Sequence, residues 1–167
     1  LGVEMVFEEG SFDAMVPGLE AKRFDVIASI GDFVERQDKI DFIDYLRAGS
    51  GILVATTVEQ AIAGPEDLCG ISVGYVRGTA QEALLSAASR KCADAGRSEL
   101  GVDAYQDSST AVLAVRSAKT DAFWGDLAQV EFNANESPED FEVVYQEEQY
   151  VYGIGVNKDD PELRDAI

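Results

Sequence analysis

The sequence predicts an α/β protein built from two similarly constructed lobes. An amphipathic helical pattern beginning at Ser11 feeds a short, apolar, β-branched run from Phe24 to Ile30, the pattern of a helix leading into a buried strand. The same order recurs later, where Ser108-Ser109-Thr110 precede a helix carrying Val112, Leu113 and Val115, followed by a basic turn and the run Asp121 to Trp124. Between them lies a strand-loop-helix unit, with Ile71 to Tyr75 as the strand and a helix opening near Thr79. With 167 residues, 46% of them hydrophobic and 9% aromatic, the chain has material for a packed core, as one large domain or two small lobes.

Along the chain, Gly2 to Phe7 reads as a strand with no element before it. Ser11 is placed to cap a helix on which Phe12, Met15, Val16 and Leu19 share one face, and Pro17 should bend or tighten it. After Lys22-Arg23, the run Phe24 to Ile30 fits a strand buried on both faces, and Arg36 follows it in a polar turn. Gly51 to Ala55 reads as a strand and Pro65 to Leu68 as a short helical turn. After the strand Ile71 to Tyr75, Gly78 and Thr79 stand at the front of a helix whose first N–H groups are free, an anion site by geometry. Val102 to Tyr105, Phe141 to Tyr145 and Tyr150 to Val156 read as further strands, and Asp159-Asp160-Pro161 as a helix start that the chain leaves after barely two turns. An opening strand without a predecessor and a closing helix this short predict that the first lobe is incomplete at both ends.

The two helix-strand units can be set side by side. Leu19 to Asp25 and Val115 to Asp121 each end a helix, turn through basic residues and place an aspartate at a strand start. Two similarly built lobes explain the match, with coincidence the alternative for so short a segment.

The formal net charge is -19, from 13 Lys and Arg against 32 Asp and Glu, with no His. No basic stripe is available to neutralise phosphates, so nucleic acid is not an expected partner, and an anionic membrane surface would repel the chain. The charge reads as a soluble acidic surface, or as steering for a cationic ligand. No run approaches the roughly 18 to 20 apolar residues of a membrane span. Two thiols and no His give no basis for a zinc site, so neither metal nor cofactor is expected. Cys69 and Cys92 fit either buried free thiols or a disulfide.

A site for a free amino acid needs a donor fork for the carboxylate and an acceptor for the ammonium. Arg36 follows the first lobe's strand and Asp126 follows the matching strand of the second, and ligands of open α/β sheets bind beyond the carboxyl ends of strands. Spacing alone equally fits a solvated turn arginine paired with Glu35 or Asp38, a helix N-cap at Asp126 ahead of Leu127-Ala128, and a plain cap at Thr79.

The stretch Ser11 to Tyr45, with its helix, its strand and the polar turn carrying Arg36 ahead of Asp41-Phe42, resembles the extracytoplasmic solute-binding proteins of family 3, the amino-acid-binding subunits of ABC transporters. The resemblance covers nearly the whole chain, with Ala48-Gly49-Ser50 similar to the segment entering the hinge. It implies a two-lobe, periplasmic-binding-protein-like fold of type II, with residues 1–53 and 150–167 in an incomplete lobe 1 and residues 54–149 in lobe 2. Ile52-Leu53-Val54 and Tyr152-Gly153-Ile154 would be the hinge segments. Phe12 matches the aromatic against the ligand side chain, Ser29 and Gly31 match contacts ahead of the arginine, and Arg36 matches the carboxylate arginine. Thr79 and Ala80 match the second lobe's Gly-Thr loop, and Asp126 the acceptor of the ammonium. Gly31 departs from the usual Ser or Thr, which removes one hydroxyl contact, and Asp32 beside it either favours a cationic side chain or faces water. Leu68-Cys69-Gly70 and Lys91-Cys92 resemble a cysteine pair of actinobacterial members, which implies a disulfide and export.

The function implied is the extracytoplasmic substrate-binding component of an ABC transporter, a monomer that binds an amino acid or related small amine between its lobes and delivers it to a membrane permease. A signal or lipid-attachment segment would lie before Leu1, as in a lipoprotein. One alternative is the ligand-sensing domain of a membrane receptor. Another is a dehydratase on the same scaffold, for which Asp32, Glu35, Asp107 and Asp126 are the available acids or bases.

Overall fold

The computed structural model describes residues 2–167, with Gln149 described by its backbone alone. Contacts divide the chain into two compact units, Leu1–Ala48 with Gln149–Ile167, and Gly49–Glu148.

In the first unit a 3-10 turn, Phe12–Ala14, runs into helix α1, Met15–Glu20, and strand β1, Val26–Gly31, follows. One helical turn, α2, Val34–Gln37, leads to β2, Ile40–Ala55, which continues into the second unit. The chain returns along β6, Phe141–Asn157, and ends in α6, Pro161–Ala166. Strand β1 pairs antiparallel with β6, with Val26 opposite Val156 and Ile30 opposite Gly153. The core joins Leu19, Ile27, Ile30 and Ile40, with Phe12, Met15, Val16, Phe24 and Phe42 packed against them. The helical stripe expected at 12, 15, 16 and 19 therefore covers β1.

The second unit contains a 3-10 turn at Pro65–Asp67, then β3, Ser72–Val76, α3, Gln81–Asp94, β4, Gly101–Tyr105, α4, Ser108–Arg116, β5, Ala122–Asp126, and α5, Leu127–Glu136. The end of β2 pairs antiparallel with β5, which runs parallel to β3, and β3 runs parallel to β4. Parallel strands need helical crossovers, and α3 and α4 supply them. Residues 49–54 of β2 are buried without alternation, as expected of a strand covered on both faces. Leu85, Ala88 and Cys92 of α3 join Ile52, Val73, Tyr75 and Trp124 in the core. The sulfurs of Cys69 and Cys92 are bonded, fastening the segment before β3 to the last turns of α3.

Several expectations need correction. Residues 2–10 form no strand, and Val3, Met5, Val6 and Phe7 are exposed. A strand requires a ladder partner for its backbone groups, and among the described residues this segment has none. Strand β1 is not buried on both faces: Ala28 and Ser29 are exposed where the register shifts between Ile27 and Ile30. The runs 141–145 and 150–156 are parts of one strand, and the strand expected at 51–55 begins at Ile40. Ser11 makes no side-chain capping bond. Helix α4 is capped by Asp107, whose carboxylate accepts from the Thr110 N–H at 2.8 Å, rather than by the serines, and Leu113 faces outward.

The two helix-strand units close in the same way. Lys22 and Ala118 both have positive φ, 57° and 53°. Around them the N–H of Lys22 donates to Leu19 O and that of Arg23 to Gly18 O, just as Ala118 N–H donates to Val115 O and Lys119 N–H to Ala114 O. Both are Schellman closures with a non-glycine residue in the left-handed position.

Candidate functional site

In the first unit, α2 brings Arg36 back toward the end of β1. Its Nη1 donates to the carbonyl oxygen of Gly31 at 2.8 Å. Its Cζ lies 5.3 Å from the Phe12 ring centroid and 5.0 Å from that of Phe33, within cation–π range. Burial pushes the guanidinium pKa down, opposed by the charges of Tyr150 and Glu35, and a guanidinium stays protonated regardless. The structure thus gathers Phe12, Gly31 and Arg36, and Arg36 is not a solvated turn residue.

Ser29 is directed elsewhere. It has a φ of 56°, and its hydroxyl is hydrogen-bonded to that of Tyr45. Asp32 accepts from Gln37 Nε2 at 2.7 Å, and its N–H donates to Val151 O at 2.9 Å.

In the second unit, Thr79 and Ala80 lie beyond the carboxyl end of β3, and Asp126 lies at the carboxyl end of its parallel neighbour β5. Gly78, with φ 77°, turns the chain out of β3. The Thr79 hydroxyl donates to Val76 O at 2.6 Å, so it closes the turn instead of capping α3. Ala80 is the N-cap residue of this 14-residue helix, without a side-chain cap, and the N–H groups expected to be free here are partly engaged: that of Thr79 donates to Val76 O, that of Glu82 to Thr79 O and that of Ala83 to Ala80 O.

Asp126 ends β5 and caps α5, accepting from Ala128 N–H at 3.1 Å through Oδ1. Its other oxygen, Oδ2, is buried and has no partner among the described residues. Burial raises the carboxyl pKa, opposed by the N–H groups of Ala128 and Gln129. A buried carboxylate oxygen without a donor is costly unless something supplies one.

Two groups near these residues escape a reading of the sequence. Phe33 and Tyr150 surround Arg36, their ring centroids 5.0 Å apart; Phe33 could have been noticed from its i, i+3 spacing, whereas Tyr150 arrives on a distant strand. Beside Asp126, Trp124 Nε1 donates to Ser50 Oγ at 3.2 Å, Ser50 donates to Glu147 Oε1 at 3.1 Å, and Tyr145 donates to Glu147 Oε2 at 2.6 Å. That last bond, with burial, pushes the Tyr145 phenol up to about 12. No local pattern signals this network, because its members come from three strands.

The chain matches the bacterial extracellular solute-binding proteins, family 3, over residues 1–167. It is 32% identical over 146 residues to the arginine-binding protein ArgT of Corynebacterium glutamicum, covering 86% of this chain and 48% of that protein. The chain spans about half the length of the curated relatives it matches. An ancestral arginine-binding protein solved with arginine superposes with a TM-score of 0.86 at 30% identity, covering 98% of this chain and 71% of that one. An ancestral amino acid-binding protein described as a precursor of cyclohexadienyl dehydratase superposes with a TM-score of 0.82 at 26% identity, over 98% of this chain and 68% of that one. No helix among the described residues is long and apolar enough to cross a membrane. Matched along its whole length and sharing this α/β architecture, the chain belongs to family 3 of the bacterial extracellular solute-binding proteins.

Proposed function

We propose that the protein is the extracytoplasmic substrate-binding component of an ABC transporter and takes an amino acid or related small amine. The observation that carries this reading is Asp126 Oδ2, a buried carboxylate oxygen without a partner among the described residues, which a ligand ammonium would satisfy. Arg36, held by a carbonyl and two rings, supplies the fork for the ligand carboxylate. The N–H groups at the start of α3, near Thr79 and Ala80, favour the same negative charge. Phe12 lies against the ligand side chain, and the two compact units are the lobes that carry these groups. Arginine is the first candidate, since ArgT is named for binding it. The protein acts outside the cytoplasmic membrane as a monomer that presents its ligand to a permease, and the Cys69–Cys92 disulfide suits that compartment.

Calorimetric titration with the common amino acids tests this. At least one should bind, and Arg36→Ala or Asp126→Ala should abolish binding; no ligand, or a ligand indifferent to both changes, refutes it. An enzymatic reading has one observation in its favour, the protonation-prone Asp126 on a fold shared with a dehydratase precursor. Turnover of a cyclohexadienyl acid by the purified protein would establish that reading instead.

A further inference from the structure

Phe33 occupies the N-cap position of α2 and contributes no side-chain cap there, where a polar residue would normally stabilise the turn. A local choice that goes against local preference points to a role outside the turn. The Phe33 ring lies over Gly31 so closely that a Cβ at position 31 would fall 2.5 Å from its Cε2, so any larger residue there would displace the ring. On its other contacts the ring packs against Tyr150, which in turn packs against Tyr152 at 5.7 Å between centroids. Arg36 Cζ stands 5.0 Å from the Phe33 centroid while its Nη1 is bonded to Gly31 O. The residue that gives up its side chain and the residue whose ring fills the space are therefore both among those that hold the guanidinium, with Phe12 beside them.

We propose that Phe33 is a positioning residue for carboxylate recognition, holding the Arg36 guanidinium in one orientation through its ring face, and that Gly31 is bare so that this ring can be seated. This rests on the reading of Arg36 as the carboxylate donor. A planar fork recognises a carboxylate only in its own plane, so fixing that plane fixes the ligand's orientation. The hydroxyl absent at position 31 is exchanged for a better-held arginine.

The test uses the full chain and two readouts. The Arg36 Nε–H resonance, identified by its loss in Arg36→Lys, should be shifted by the ring in the unaltered protein and in Phe33→Tyr, and should move toward the position of a free arginine in Phe33→Leu and Gly31→Ala, where the Phe12 ring alone remains in place. Binding of L-arginine and L-argininamide should show a preference for the free carboxylate that Phe33→Tyr keeps and Phe33→Leu narrows by about three- to thirtyfold. An unmoved resonance in Phe33→Leu, or equal weakening of both probes, overturns the proposal. If the unaltered protein does not distinguish acid from amide, the carboxylate reading of Arg36 fails, and the resonance still decides whether Phe33 positions it.

Discussion

Ser50 stands directly opposite Asp126 in the antiparallel pairing of β2 with β5. Ser50 is fully buried, and its hydroxyl links the indole of Trp124 to the carboxylate of Glu147. The strand end that carries the candidate ammonium acceptor is thus tied to β6 through a polar chain inside the core. Replacing Ser50 with Ala leaves a buried indole N–H without its acceptor, which should cost about 1–3 kcal/mol. Urea unfolding measures this, and a loss within 0.5 kcal/mol, roughly the scatter of neutral surface changes, would show the network to be dispensable.

Asp126 makes the unliganded protein less stable as its carboxyl ionises. Its folded pKa is raised by burial, so the native state holds the proton more tightly than the unfolded chain, and stability falls as pH rises from the unfolded value, about 3.9, through the folded one. Asp126→Asn keeps a good capping residue. In thermal unfolding it should match the parent below pH ~4 and exceed it at neutral pH. Its ligand affinity at neutral pH should fall by about thirtyfold or more.

Lys22 and Ala118 hold the left-handed position of matching helix closures at φ 57° and 53°. A Cβ in that region is strained, and glycine removes the strain at some cost in chain entropy. Lys22→Gly and Ala118→Gly should each stabilise by about 0.5–1 kcal/mol. Equal gains would show that the two closures are energetically as well as geometrically alike, and losses at both would contradict the strain argument.

The Cys69–Cys92 bond closes a segment of 23 residues, for which the chain-entropy relation gives about 3 kcal/mol. Urea midpoints with and without reductant should differ accordingly, and intact mass should rise by the mass of two hydrogen atoms on reduction. Ligand affinity of the reduced protein, measured below its unfolding range, separates loss of stability from any change in the α3 start.

Much of the local structure is legible in the residues. The apolar spacing at 12, 15, 16 and 19 specifies a helix face because side chains three and four apart lie together, and that face is where the core of the first unit forms. Pro161 after Asp160 marks a helix start, and Asp160 does cap it, accepting from Leu163 N–H at 3.0 Å. The helix-turn-strand match reports a shared backbone closure for the same reason: a Schellman turn is made by six consecutive residues.

What the residues could not show depends on partners far away in the chain. Strand lengths follow from what lies alongside, so Ile40–Ala55 and Phe141–Asn157 extend through polar stretches that carry no strand signal of their own, while Gly2 to Phe7, strand-like in pattern, joins no ladder among the described residues. By itself the sequence determined the α/β class, the helix faces and the positions of Arg36 and Asp126 at strand ends, all set by short-range periodicity and turn chemistry. Only the tertiary structure decided that Arg36 would be seated on Phe33 and Phe12 and that Asp126 would keep one oxygen buried, without a partner among the described residues, because burial and ring contact are properties of packing between distant segments.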